Sequence, residues 1–167
     1  MNIYVDLDNK VVEFVAKETN EKKEIINIYI ERIVSSICEE KNIKCENISV
    51  SISSADKEEI RKINNEYRNI DRATDVLSFP IFDREEIKDL SIENNLMEIE
   101  LGDIILCLDV IKEQSIEYGT GVLRETLYMI THGMCHLMGY DHIEEDEKKE
   151  MREMEEKILS KIGVTNE

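Results

Sequence analysis

All three histidines of the chain, His132, His136 and His142, lie within eleven residues. Imidazole is the commonest protein ligand of divalent transition metals, so this clustering predicts a metal site. His132 and His136 are four residues apart, which places them on one face of a helix, one turn above the other. Gly139 can end that helix in the left-handed conformation, after which His142 can fold back toward the other two. Three converging imidazoles with a fourth position open for water are typical of catalytic rather than structural zinc.

These side chains need a helix and a turn to position them. Residues 122–138 are apolar almost all round toward their end, which predicts a central, buried helix. Periodicity of apolar residues also predicts helices at about 21–40, 56–65, 108–118 and 144–161, and strands at about 3–7, 48–53, 74–80 and 99–107. The acidic, irregular stretch from Asp83 to Met97 predicts a solvated loop.

Two residues qualify the predicted strands. Pro80, the only proline, closes 74–80 and favours an edge position, because proline cannot donate to a sheet ladder. Gly102, followed by Asp103, interrupts the strand at 99–107. We therefore expect an α+β fold with one domain over residues 1–167, in which a small mixed sheet of about four strands packs with about five helices. The metal site would lie on a central helix and the turn after it.

Composition favours one ordinary soluble domain. The chain has 167 residues, of which 41% are hydrophobic and 35% charged. Its N-terminus has no basic region followed by an apolar stretch, and no apolar run is long enough to span a bilayer. We therefore expect a cytoplasmic protein with no membrane partner.

The formal net charge of −17 is the main argument against a nucleic-acid substrate, since phosphate binding normally uses Lys and Arg. The charge is uneven, however. Residues 60–82 contain four basic and three acidic side chains, a net of +1. A neutral or basic cleft on an acidic body is therefore compatible with the sequence.

The four cysteines are scattered without a Cys-x-x-Cys pair, which favours free thiols in a reducing compartment; they are Cys38, Cys45, Cys107 and Cys135. Cys135 lies between two candidate ligands. On a helix it is rotated by about 100° from His136 and points to a different face. We therefore predict that Cys135 is a small core residue.

The histidine spacing is similar to that of the metzincin proteases, His-x-x-x-His-x-x-Gly-x-x-His. In those enzymes a glutamate follows the first histidine and acts as the general base. Here that position is Gly133, so peptide hydrolysis would lack its usual proton acceptor. The sequence thus disfavours a peptidase.

The residues themselves resemble another family. The segment His132-Gly-x-x-His136-Leu-x-Gly-Tyr-Asp-His142 is similar to the signature of the YbeY family, metal-dependent endoribonucleases of ribosomal RNA maturation. Further similar blocks are Asn65–Arg68 with Asp71, Thr74–Pro80, Leu101–Ile104, and the C-terminal helix with Met151, Glu155, Ile158, Leu159 and Gly163. The chain departs at Cys135, where the family usually has leucine. It also departs at Asn69, Ile70, Arg72 and Ala73, where the family tends to have glycine, lysine and proline.

The resemblance implies a single YbeY-like metallohydrolase domain that binds one zinc ion, or a similar divalent metal, on the three histidines. It also implies that Arg68 is the essential catalytic residue that does not bind the metal. A metal can lower the pKa of bound water, and a guanidinium can hold a phosphate and stabilise transition-state charge. From the residues alone, an alternative for Arg68 is a surface ion pair with Asp71 or Asp75.

Several polar residues keep two interpretations. Asp141 can accept a hydrogen bond from a ligand imidazole and fix its tautomer, or it can close the turn with its side chain. The same two roles are open for Asp75 and Asp103. Tyr140 is expected to pack rather than to take part in chemistry.

Two functions follow as hypotheses. The first is a zinc-dependent endoribonuclease that cleaves single-stranded ribosomal RNA in ribosome biogenesis, with the general base unassigned. The second is a non-catalytic ribosome-assembly factor with a structural metal, which the acidic surface favours because acidic proteins can dock on basic ribosomal proteins. Both imply the ribosome or ribosomal proteins as partners.

Overall fold

The computed structural model describes residues 1–92 and 96–164. In chain order the elements are β1 (Asn2–Leu7), α1 (Asn9–Thr19), α2 (Lys23–Glu40), β2 (Asn47–Ser54), α3 (Lys57–Arg68), β3 (Val76–Pro80), α4 (Arg84–Asp89), β4 (Glu98–Leu106), α5 (Leu108–Tyr118), α6 (Val122–Leu137) and α7 (Glu145–Lys161). The described residues thus form four strands and seven helices, where the sequence predicted about five helices. The two additional helices are α1 and α4. None of the helices in these residues is long and apolar enough to cross a membrane.

The four strands form one mixed sheet in the order β1-β2-β4-β3. β1, β2 and β4 are parallel, whereas β3 is antiparallel to β4 and lies at the edge, as Pro80 predicted. The predicted interruption of β4 is a β-bulge, because Ser49 pairs with Glu100 but Ser51 pairs with Asp103. Gly102 lies in this bulge with a φ of +135°.

The main core lies between one face of the sheet and the helices. Alternate residues of β2 are buried there, namely Ile48, Val50 and Ile52. Helix α6 lies across β3 and β4 and contacts α1, α2, α5 and α7 as well. Ten of its sixteen residues are buried, which confirms the predicted central helix. A second, smaller cluster of buried residues, Ile60, Leu77 and Cys107, joins α3 to β3 and the end of β4.

Gly133 sets the distance between α6 and the sheet. A Cβ atom at this position would lie 3.0–3.1 Å from Cδ1, Cγ1 and Cγ2 of Ile104 on β4. The three atoms belong to a β-branched side chain on an inner strand, so a simple rotation cannot move all of them away. The glycine that disfavours a peptidase is therefore also a packing requirement of the fold.

We expect Gly133→Ala to destabilise the protein although alanine is the better helix former. Overpacking typically costs about 1–3 kcal/mol, whereas the helix propensity gained is about 1 kcal/mol. In an Ile104→Ala background, the same change should instead stabilise, because the three close atoms are gone. Urea unfolding of the four proteins in this cycle measures both effects. Destabilisation by the same amount in both backgrounds would contradict the account.

The prediction of a loop from Asp83 to Met97 is wrong for its first part. Arg84–Asp89 is a short helix, which begins at a capping box formed by Asp83 and Glu86. The side chains of Ile87 and Leu90 are buried in the main core. Acidic composition concealed these two apolar anchors, and residues 93–95 of the predicted loop lie outside the described residues.

Candidate metal centre

The three histidines converge at the C-terminal end of α6. The ring centroids of His132 and His136 are 4.8 Å apart. The ring centroid of His142 lies 5.6 Å from that of His132 and 4.9 Å from that of His136. One nitrogen from each ring lies within 4.8 Å of the other two. This spacing and this donor set fit a single transition-metal ion, because Zn–N bonds of about 2.0–2.1 Å place tetrahedral ligands a little over 3 Å apart after small side-chain rotations.

The turn after α6 brings His142 back to the helix. The N–H of Tyr140 donates to the carbonyl of Cys135, and the N–H of Gly139 donates to that of His136. These two bonds, with Gly139 at a φ of +88°, form a Schellman motif. A Cβ atom on Gly139 would lie 2.7 Å from the Cα of Arg84, so the start of α4 packs directly on the turn. The predicted glycine stop is confirmed.

Hydrogen bonds at Nδ1 orient all three rings. His132 Nδ1 lies 2.9 Å from a carboxylate oxygen of Glu155 on α7, and His136 Nδ1 lies 3.1 Å from the carbonyl oxygen of Tyr140. His142 Nδ1 lies 3.4 Å from the carboxylate of Asp141. A carbonyl or carboxylate oxygen can only accept, so the proton belongs on Nδ1 and the lone pair on Nε2. Nε2 of each ring is therefore the atom that can bind a metal.

Burial keeps His136 neutral. Desolvation, followed by the nearby rings of His132 and His142, lowers the pKa of His136 to about 4. A neutral imidazole at pH 7 has the lone pair that a metal requires. The site therefore does not need to lose a proton from this residue before binding an ion at neutral pH.

Cys135 is a core residue, as predicted. Its side chain is fully buried in the main core, and burial raises the pKa of the thiol far above its ordinary range. Among the described residues, the cluster that could hold a metal ion consists of the three histidines and does not include Cys135. All four cysteines are free thiols, which agrees with the expectation from their spacing.

Arg68 and the three histidines line one open cleft of about 650 Å³ between α3, β3 and the turn after α6. Arg68 is the last residue of α3, because Asn69 ends the helix with a left-handed φ of 58°. Asparagine tolerates this conformation better than most residues, so this departure from the family pattern leaves the end of the helix intact. The structure thus brings all four predicted site residues together.

The alternative ion pairs for Arg68 are absent from the described residues. Asp71 pairs with Arg61 at 2.8 Å. The carboxylate of Asp75 accepts hydrogen bonds from the N–H of Val76 and the side-chain amide of Gln114. Arg68 is exposed, and within residues 1–92 and 96–164 its guanidinium makes no hydrogen bond or ion pair. Its charge is therefore available to a ligand in the cleft.

The remaining polar candidates have local roles. Asp141 fulfils both of its predicted roles: its Oδ1 accepts from the backbone N–H of His142 at 2.7 Å and lies 3.4 Å from Nδ1 of the same residue. Asp75 accepts the backbone N–H at the start of β3, and Asp103, which pairs with Phe79, is exposed on β4 and does not line the described cleft. Tyr140 packs partly buried against the main core, as expected.

Comparison with known proteins agrees with this geometry. A family model described as Endoribonuclease YbeY matches residues 13–163. A protein of that name from Clostridium perfringens is 44% identical, with the match covering 96% of this chain and 98% of the relative. Another from Clostridioides difficile is 40% identical over 93% of this chain and 100% of the relative. The chain belongs to the endoribonuclease YbeY family.

A solved structure is similar in fold. The solution structure of TM1509 from Thermotoga maritima has a TM-score of 0.51, and the match covers 96% of this chain and 88% of that one. Its sequence is 24% identical, so the likeness concerns the fold.

The contact between Glu155 and His132 was not predicted. The sequence places Glu155 only in a C-terminal helix that is similar to that of the family. The available signal was a carboxylate on the apolar stripe of that helix.

Proposed function

We propose that the protein is a zinc-dependent endoribonuclease that hydrolyses single-stranded ribosomal RNA in the cytoplasm during ribosome biogenesis. One observation carries the proposal: three imidazoles with free Nε2 atoms and an unpaired guanidinium line the same open cleft. Membership of the endoribonuclease YbeY family supports the reaction class. The ribosome or ribosomal proteins are the proposed partners.

His132, His136 and His142 would hold the metal through Nε2. The all-nitrogen donor set suits zinc, although imidazole also binds other divalent transition metals. When bound, such an ion supplies a nucleophilic hydroxide at neutral pH and polarises a phosphoryl oxygen. The protein contributes oriented rings, which Glu155 and the Tyr140 carbonyl hold through Nδ1.

Arg68 would bind the scissile phosphate. A guanidinium offers two parallel N–H donors to two phosphate oxygens and keeps its charge at any working pH. Extra negative charge develops on those oxygens as the phosphodiester is attacked. Since no acidic side chain in the described residues forms an ion pair with Arg68, its N–H donors are open to the substrate.

The charges around the cleft are compatible with RNA despite the net charge of −17. The lining contains Arg68 and Arg84 against Asp75, Asp83 and Asp141, a net of −1 with neutral histidines. A divalent ion on the histidines would make this +1. We therefore expect RNA binding to depend strongly on the metal, because the rest of the surface repels phosphate.

Aromatic side chains beside Arg68 favour a single-stranded substrate. Tyr67 is 66% exposed and lines the cleft, and its ring packs edge-on against Phe79 at 5.2 Å. An exposed ring held in place can stack on an unpaired base, which contributes roughly 1–3 kcal/mol per base. Bases within a duplex are not available for such stacking.

We expect Tyr67→Trp to report this stacking. The chain has no tryptophan, so the substitution introduces a single indole. Titration with a single-stranded RNA oligonucleotide should quench its fluorescence, and the equivalent duplex should quench it much less. Tyr4→Trp is the matched control, because Tyr4 is 59% exposed on β1 and outside the cleft. Equal quenching of both variants would contradict stacking at Tyr67.

The proposed activity is tested by incubating zinc-loaded protein with labelled single-stranded and duplex RNA. Endonucleolytic cleavage of the single strand, abolished by a chelator and restored by zinc, is the expected result. A protein that is fully metal-loaded and cleaves no faster than His136→Ala would overturn the proposal.

A further inference from the structure

Glu155 is a carboxylate in a position that the fold treats as core. It lies on the buried stripe of α7 with Met151, Ile158 and Leu159, and only 4% of its surface is exposed. Elsewhere α7 is highly charged and faces solvent. A buried carboxylate is unfavourable unless it is paired and hydrogen-bonded. The contacts of Glu155 should therefore show what stabilises its charge.

The contacts of Glu155 point to the metal centre. Its carboxylate lies 2.9 Å from Nδ1 of His132 and also accepts a hydrogen bond from the hydroxyl of Tyr128. Arg124 and Arg152 line a cavity beside it. Tyr128 stacks on the ring of His132 at 6.2 Å, and after burial the neighbouring Glu155 is the next cause that raises the pKa of Tyr128 to about 12. Neither the neutral imidazole nor the hydroxyl brings a positive charge to the carboxylate. A divalent ion on Nε2 of the same ring would balance it through the imidazole.

We infer that Glu155 is a positioning residue of the metal centre. Its carboxylate accepts the Nδ1 proton of His132, which holds the ring in the tautomer that presents Nε2, and its charge favours a cation on that nitrogen. This inference rests on the proposed function, because it assumes that the three histidines bind a metal. It also links α7 to the site, although no residue of α7 is a ligand.

Glu155→Gln should weaken zinc binding without destabilising the metal-free protein. Glu155→Gln removes the charge, and its amide can donate to Nδ1, which favours the wrong tautomer of His132. Metal affinity should therefore fall by roughly 10- to 100-fold, as it does when such supporting partners are changed in other metal sites. The metal-free protein should be at least as stable as the wild type, since a buried charge has been removed. A merely structural role would lower both quantities.

The experiment measures the zinc dissociation constant of the metal-free full chain by competition with a chromogenic chelator. Glu156→Gln is the matched control, because it removes the same charge from the next, exposed residue of α7. We expect this control within about twofold of the wild type and Glu155→Gln at least tenfold weaker. Urea unfolding of each metal-free protein gives the second readout.

Each outcome decides the inference. Affinity of Glu155→Gln within twofold of the wild type would overturn it and leave the three-histidine centre standing. So would lower metal-free stability of Glu155→Gln with a parallel loss of affinity. A wild type that binds no zinc would overturn both the inference and the proposed function. If Glu155→Gln does not fold, Glu155→Asp, which keeps the charge on a shorter side chain, should still weaken zinc binding at least tenfold, and unchanged affinity would overturn the inference.

Discussion

Arg68→Ala is expected to lower the rate of RNA cleavage by roughly 10²- to 10³-fold with little change in stability or metal content. The loss arises because the guanidinium would stabilise charge that develops on the scissile phosphate. Stability should be unaffected, since Arg68 is exposed and makes no hydrogen bond or ion pair within the described residues. Single-turnover cleavage of a labelled single-stranded RNA by zinc-loaded protein measures the rate.

The matched control for Arg68 is Arg72→Ala. Arg72 is also exposed, follows α3 by a few residues and does not line the cleft. Arg72→Ala removes the same charge from the same acidic protein, so this variant reports any general electrostatic effect on RNA binding. We expect its cleavage rate within a few-fold of the wild type. Equal losses for the two arginine variants would refute the specific role of Arg68.

Removal of the metal is expected to abolish cleavage while the protein stays folded. The histidines lie on and just after a helix that the core holds by itself, and hydrogen bonds within the protein orient their rings. A metal present at a hundred times its Kd adds about 2.7 kcal/mol of stability. For a domain of this size, chelation should therefore lower Tm by roughly 5–10 °C and leave a cooperative transition.

The same measurement distinguishes an enzyme from an assembly factor with a structural metal. In the second case the apo chain would lose its helical circular dichroism at 25 °C, because folding would depend on the ion. Helix α7 is the element such a metal would have to hold. Its apolar residues Met151, Ile158 and Leu159 are buried in the main core, so packing already holds it. Unfolding of the protein after chelation of its metal would contradict the enzyme hypothesis and favour a structural metal.

Local spacing was enough to predict the histidine centre. His132, Gly139 and His142 obey the short-range rules for a helix, its stop and the residue after it, so distant contacts were not needed. The same is true of the edge strand at Pro80 and the interruption at Gly102, where the backbone chemistry of one residue decides the outcome.

Contacts between distant segments could not be predicted in this way. Glu155 meets His132 across two helices. Its position on the apolar stripe of α7 indicates burial, but no local pattern indicates that His132 is its partner. The sequence shows only that Gly133 replaces the general-base glutamate of a peptidase. The structure shows that it also lies close to Ile104, on a strand far away in sequence. Helix α4 was missed because acidic residues surround its two buried anchors.

The position of a bound metal tests the account most directly. Crystals of zinc-loaded protein should show one anomalous peak at the zinc edge, about 2.0–2.1 Å from Nε2 of His132, His136 and His142. The peak should disappear in His142→Ala crystals grown under the same conditions with limiting zinc. A fully loaded crystal with the ion elsewhere, or an unchanged peak without the His142 ring, would contradict the three-histidine centre.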